Sequence, residues 1–428
     1  MVDSLKNNFL LLPALVLALL LYGIVPQKKS APAEFLFEEH DIRLVECRLL
    51  SSPVKVGDKK KRYMAKAKLI SVADKAGGAS SADGQVQIFL PVELCEIYQP
   101  GKLYSAWRGK KIDFVLDKGA RCVFAVNQAS GKNQAGGRGG TFFSAQSLVS
   151  CAYGQDFWGR VQKFRALCRL HFCRLMFAWG EAGGLLLALL TGSRSYLDEK
   201  TAAAFRLAGL SHILALSGMH LSLFSSIALF FGKKSLGKKA APVMELCAIV
   251  LFVWFAGKTP SLFRALLCSF FPIFFRMFKI QVKSGLNVLS LAFIIHICLF
   301  PADMAELSFM LSYGALVGIL AFNEFVSKPL LRVMPAGAGS AFGQSIGAQT
   351  LTMPICARFF GTLAPGGILS TAVISPLVTI FIYLGLFFIL LSAVFPALAP
   401  FCGGALCFVY SKIKAWAILF SKIPCVKL

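Results

Sequence analysis

The chain has 428 residues, 56% of them hydrophobic and only 15% charged, which leaves too little polar surface for a soluble protein of this size. A formal charge of +24 sits beside that apolar bulk, and each Lys or Arg must meet water, a headgroup or an anionic partner. The 13 cysteines include no CxxC pair and no zinc-ligand spacing, so no metal, redox motif or cofactor is expected.

Phe9 to Val25 is an apolar run behind Lys6 with no clean cleavage signal before Pro26, and it is expected to be an uncleaved transmembrane anchor within residues 1–33. Residues 34–150 change character. Short β-branched or alternating runs (Ile42 to Leu50, Tyr63 to Val72, Gln85 to Leu90, Lys102 to Trp107, Ile112 to Leu116, Arg121 to Val126) are broken by Gly, Ser and Pro, as in a small β-barrel or sandwich. Gly131 to Gly140 reads as a loop. Cys47, Cys95, Cys122 and Cys151 lie in this polar segment and are candidate disulfide partners if it faces an oxidising space, with the pairing open.

Residues 151–180 predict an amphipathic helix. Phe157, Val161, Phe164, Cys168, Phe172, Leu175 and Trp179 form its stripe, and Arg160, Lys163, Arg165, Arg169 and Arg174 fall off it. Such a helix is expected in the membrane interface, basic side toward the headgroups. A membrane domain over 181–400 follows, with spans at roughly Ile213 to Phe231, Pro242 to Ala256, Ser261 to Phe278, Leu286 to Phe300, Leu307 to Phe322, Ala341 to Phe360 and Ile368 to Phe395. Lys412, Lys414 and Lys422 interrupt residues 401–428, which read as amphipathic or re-entrant. Lys and Arg crowd alternate loops (Lys233, Lys234, Lys238 and Lys239; Arg276, Lys279 and Lys283; Lys328 and Arg332), and this alternation puts the β-rich domain outside the cytoplasm.

The phrase ALLTGSRSYLDEKTAAAFRLAGLSHILALSGMHLSL, ending at Leu223, is too polar for a passive anchor. His212 and His220 are two helical steps of four apart, and Ser217 is within one turn of His220. The phrase resembles the signature of ComEC-type competence proteins, the membrane channels of bacterial DNA uptake. GKTPSLFRALL (Gly257 to Leu267), LSFMLSYGALVGIL (Leu307 to Leu320) and QTLTMPICARFFGTLAPGGILSTAVISPL (Gln349 to Leu377) are similar to that family's later motifs, in the same order. Met310 stands where the family usually has Gln, and Ser370 to Ala372 replaces an Asn-containing phrase. No HxHxDH run occurs, so neither the metallo-β-lactamase-like domain of many members nor a built-in nuclease is expected.

The resemblance implies a polytopic α-helical membrane protein with an N-terminal extracytoplasmic small β-barrel (OB-like) domain, in a bacterial cytoplasmic (inner) membrane. It implies passage of single-stranded DNA by a channel, not an enzyme, with membrane lipids around it and a DNA receptor outside. A helicase-like translocase inside would supply the ATP-driven motor, since no GxxxxGK[ST] loop is present, and a homodimer is one assembly to test. Candidate path or channel-lining residues are Arg206, His212, Ser217, Gly218, His220, Pro260, Ser261, Arg264, Ser308, Ser312 and Pro354. In the β-rich segment, Tyr63, Phe89, Tyr98, Tyr104, Trp107 and Phe114 interleave with lysines and arginines, a pattern suited either to stacking on bases or to an ordinary core with a solvated face. Two rival readings are an intramembrane serine hydrolase using Ser217 with His212 or His220, and an anionic-lipid transporter or scramblase.

Overall fold

The computed structural model describes residue 14 and residues 42–427, except 57–61, 75–77, 96–113, 131–141, 215–217, 236, 281–283, 331–335, 361, 364–365 and 424–425. The expected anchor (residue 14 apart), the run Lys102 to Trp107, the Gly131 to Gly140 loop and Ser217 lie outside the described residues.

Five long strands form the N-terminal domain: β1 (Ile42–Leu49), β3 (Arg62–Asp74), β5 (Gln85–Pro91), β6 (Arg121–Ser130) and β7 (Phe142–Ala152), with β2 (Val54–Val56) and β4 (Ala79–Ser81) added to β3. β1 pairs with both β3 and β6, β6 with β7, β7 with β5, and β5 with β3, so the ring closes and leaves no long free edge. Every pairing in the ring is antiparallel except β5 with β7. This is an OB-like barrel. Alternation along each strand sends Ile42, Val45, Leu49, Leu69, Ile88, Leu90, Phe124 and Phe143 into one core. Phe114 to Leu116, expected in a strand, carry none, while β7 was not foreseen. Only Phe143 and Ala145 of β7 are buried, and register shifts against β6 break its alternation.

Helix α1 (Phe157–Ala178) leads into α2 (Gly180–Thr191), whose residues from Ala182 to Thr191 are all buried. At 12 residues α2 is too short to read as a span, yet it is the centre of the helical core, packed by Trp179, Phe205, Phe381, Leu406 and Tyr410. Around it stand α3 (Glu199–Leu207), α4 (Gly218–Ser235), α5 (Gly237–Ala256), α6 (Pro260–Met277), α7 (Gly285–Leu299), α8 (Leu307–Leu330), α9 (Ala336–Phe360), α10 (Gly367–Val394) and α11 (Ala399–Phe420). Gly318 of α8 and Gly347 of α9 face one another at a crossing where a Cβ on Gly318 would collide with the Gly347 carbonyl.

Among the described residues four helical stretches are long and apolar enough to cross a membrane: α5, α6, α10 and Pro396–Phe420. The last falls where an amphipathic or re-entrant tail was expected. Its Lys414 is neutralised by Glu181 at 2.9 Å and Asp198 at 3.0 Å, so the charge does not interrupt the helix. In helix α1, Arg165 and Arg174 of the basic residues are buried, and Phe157 and Phe164 of the apolar stripe are 72% and 61% exposed.

Candidate nucleic-acid path

On the barrel, Arg62, Lys66 and Lys68 alternate outward along β3 while Tyr63, Ala65, Ala67 and Leu69 point in. Register sets Lys66 opposite Gln87 and Lys68 opposite both Gln85 and Arg48, so cations and amides share one outer face. Phe89, half-buried, meets Phe142 edge-to-face at 5.7 Å beside it. Tyr63 belongs to the core, and Phe114 is half-buried; Tyr98, Tyr104 and Trp107 lie outside the described residues.

Three of the four marked cysteines form a row across adjacent strands, with Cys47 opposite Cys122 and Cys122 opposite Cys151. The Cys122 and Cys151 sulfurs are 3.6 Å apart. Burial pushes the Cys47 thiol up to about 12, and the Cys122 S–H, donating to Cys151, lowers the Cys151 thiol. Cys95 sits apart, in a single helical turn after β5.

The barrel is seated on the helices in part through one carboxylate. Asp117, buried between β5 and β6 in sequence, lies 3.5 Å from Arg165 Nη1 and 3.6 Å from Arg169 Nε. The same arginines donate to the last carbonyls of α5: Arg165 Nε to Trp254 O at 2.6 Å, and Arg169 Nη1 to Phe255 O and Ala256 O, both at 3.0 Å. Cations at a helix C-terminus satisfy orphan carbonyls and oppose the negative end of the helix dipole. Sequence reasoning missed these roles, because nothing local links Asp117, Arg165 and Trp254.

Below this seat the chain turns at Gly257 (φ +99°) into α6. Thr259 caps that helix, its side chain accepting from Leu262 N at 3.3 Å, and Pro260 occupies the first turn, where its missing N–H costs nothing. Ser261 Oγ donates to Ser308 O at 3.1 Å, tying α6 to α8. A polar chain unnoticed in the sequence runs alongside: Lys258 Nζ to Asp303 at 3.1 Å, Asp303 to His296 Nε2 at 3.1 Å, and His296 Nδ1 to the Tyr313 hydroxyl at 3.2 Å. The Lys258 ammonium also lies 3.0 Å from the centre of the Phe300 ring.

Arg264 comes one turn after Pro260, with 8% of its surface exposed and its Nε meeting no acceptor among the described residues. Gly218, the first residue of α4, faces it: a methyl group there would lie 3.3 Å from Arg264 Nη2. His220 is fully buried one turn into α4, while His212 is exposed, its Nδ1 3.2 Å from Gly209 O. Arg206 is exposed at the end of α3, and Ser312 is half-buried on α8. Pro354 lines an apolar groove with Ile346, Gln349, Met353 and Ile368. The structure therefore brings Gly218, Pro260, Ser261, Arg264 and Ser308 together at one end of α6, and among the described residues Arg206 and Pro354 make no hydrogen bond or ion pair to them.

The family model described as Competence protein matches residues 189–428, more than half of the chain. The chain belongs to the competence protein family. The match takes in α3 to α11 and excludes the barrel and α1. ComE operon protein 3 of Bacillus subtilis is 25% identical over 220 residues, 51% of this chain and 27% of that protein. Recombination protein 2 of Haemophilus influenzae is 26% identical over 159 residues, 35% of this chain and 20% of that protein. The matched part thus spans about a quarter of these competence relatives' own length. No solved structure matches the chain. The apolar helices and the family together make it a membrane protein.

Proposed function

We propose that this competence-family chain passes single-stranded DNA across the bacterial cytoplasmic membrane, entering from the side that carries the barrel. One observation carries the reading: an OB-like barrel with a cationic outer face is fixed by Asp117, Arg165 and Arg169 onto the helix ends of the family-matched bundle. Barrels of this kind suit single strands through a basic track and stacking rings, and Lys66, Lys68, Arg48 and the Phe89–Phe142 pair supply both. The alternating loop charges support a barrel outside the cytoplasm, and the four long apolar helices with shorter ones between them support a multi-pass arrangement.

In this reading the residues at the head of α6 line the path, and the chain performs no covalent chemistry. A DNA receptor delivers the strand outside, and a helicase-like translocase pulls it inside. Within the barrel, Cys122 and Cys151 form the disulfide in an oxidising compartment, Cys47 remaining protonated beside them. Deleting the gene from a transformable host should abolish uptake of DNA, with recovery on supplying the full chain. Unchanged transformation in the deletion strain would sink the proposal.

A further inference from the structure

We infer that the buried guanidinium of Arg264, where it faces Gly218, forms a binding site for a phosphodiester monoanion within the helical bundle. The inference rests on the strand-passage reading for the identity of the occupant, and on geometry for the existence of the site.

A guanidinium keeps its charge at any physiological pH, so burying one inside a membrane protein calls for a carboxylate, a set of carbonyls or a bound anion. The other cations of this region have protein partners. Lys258 holds Asp303, Arg165 and Arg169 hold Asp117 and the end of α5, Arg276 holds Glu245 at 3.2 Å, and Lys414 holds Glu181 and Asp198. Arg264 differs from these: among the described residues it makes no ion pair, and its fully buried Nε has no acceptor. The titratable side chains within electrostatic reach of it are Cys268, Tyr313 and His296, and none is a carboxylate. The nearest carboxylate of the polar chain, Asp303, is already shared by Lys258 and His296.

Gly218 of α4 lies against the guanidinium: a Cβ there would sit 3.3 Å from Arg264 Nη2 and 3.6 Å from the Ala265 methyl, so glycine keeps the approach from that side as wide as the backbone permits. A planar fork of donors whose Nε has no acceptor among the described residues suits the two non-bridging oxygens of a phosphodiester, with charge-assisted bonds to both. Two sources have this chemistry, the backbone of a passing strand and an anionic lipid headgroup such as phosphatidylglycerol.

The test uses the full chain in phosphatidylcholine nanodiscs, with oligothymidylate and its neutral methylphosphonate analogue as probes. The wild type should bind the phosphodiester oligonucleotide and not the analogue. Arg264→Gln should weaken binding about tenfold and lower the slope of log affinity against log salt by about 0.7, the amount for one lost phosphate contact. Arg264→Lys should restore the slope, and Gly218→Ala should weaken binding while leaving the guanidinium in place. Melting temperatures separate these effects from misfolding of any one variant.

If instead phosphatidylglycerol co-purifies with the wild type and is lost in Arg264→Gln, while strand binding is absent throughout, the site stands and strand passage fails. If strand binding and its salt slope are the same in Arg264→Gln and wild type, and phosphatidylglycerol retention is also unchanged, the site is overturned although strand passage survives.

Discussion

The barrel and the helical bundle solve the same problem of polar backbone in opposite ways. The barrel closes a ring of five strands, keeps its cations on an outer face and hides only a small core around Phe124 and Phe143. The bundle does the reverse, exposing large apolar side chains such as Phe387, Leu390 and Phe401 and drawing its charges inward or to helix ends. In the barrel a charge is cheap and a missing ring costs the fold. In the bundle a ring on the outside contributes little, and a single charge has to be matched.

The contrast can be broken most forcefully in the barrel core. Phe124→Ala should cost about 3–5 kcal/mol and remove hydrogen-exchange protection across residues 42–152 while leaving α2 and α10 protected. Equal loss in α10 would mean that the two regions fold as one. Asp117→Ala leaves two buried guanidinium groups facing each other and should weaken the seat by about 3 kcal/mol, read as faster proteolysis between β7 and α1 with unchanged melting of the helices.

Oxidation sharpens the comparison on the barrel side. A non-reducing peptide map should join Cys122 to Cys151, and Ser at either position should cost about 2–4 kcal/mol in the oxidised protein. Because the Cys151 pKa is lowered, its thiolate persists at pH values where an ordinary thiol is protonated, so alkylation of reduced protein should start there at Cys151 and spare Cys47. The smallest expected effect is at Glu46, held by Arg121 at 2.5 Å and by Ser71 at 2.8 Å. Its folded pKa is depressed, so its contribution is present above the unfolded value and is lost as pH falls through the lowered one, a change under about 1 kcal/mol in barrel melting.

Hydropathy made the long apolar helices α5, α6 and α10 legible, because length and composition decide that question locally. Four of the long strands were equally open to reading, since inward and outward residues alternate cleanly. Helix α2 was passed over because a helix buried by protein on all sides needs no spanning length, and β7 because bulges scramble its period. Arg264 announced itself as a charge in an apolar phrase. His296 and Asp303 did not, since a histidine in an apolar helix and an aspartate in a short loop carry meaning only when the fold sets them 3.1 Å apart. The arginines of α1 were visible as a basic face, but their partners were a carboxylate and three carbonyls far off in the sequence.

Arg165 and Arg169 each grip the end of a membrane helix and a carboxylate of the barrel. Any sideways movement at the end of α5 therefore has to drag the barrel with it or give up those bonds. Opening of the bundle at that helix would register in the water phase as the displacement of a readily labelled body, so a fluorophore on β3 paired with one at an end of α10 could follow it with neither probe at the depth of the lipid tails.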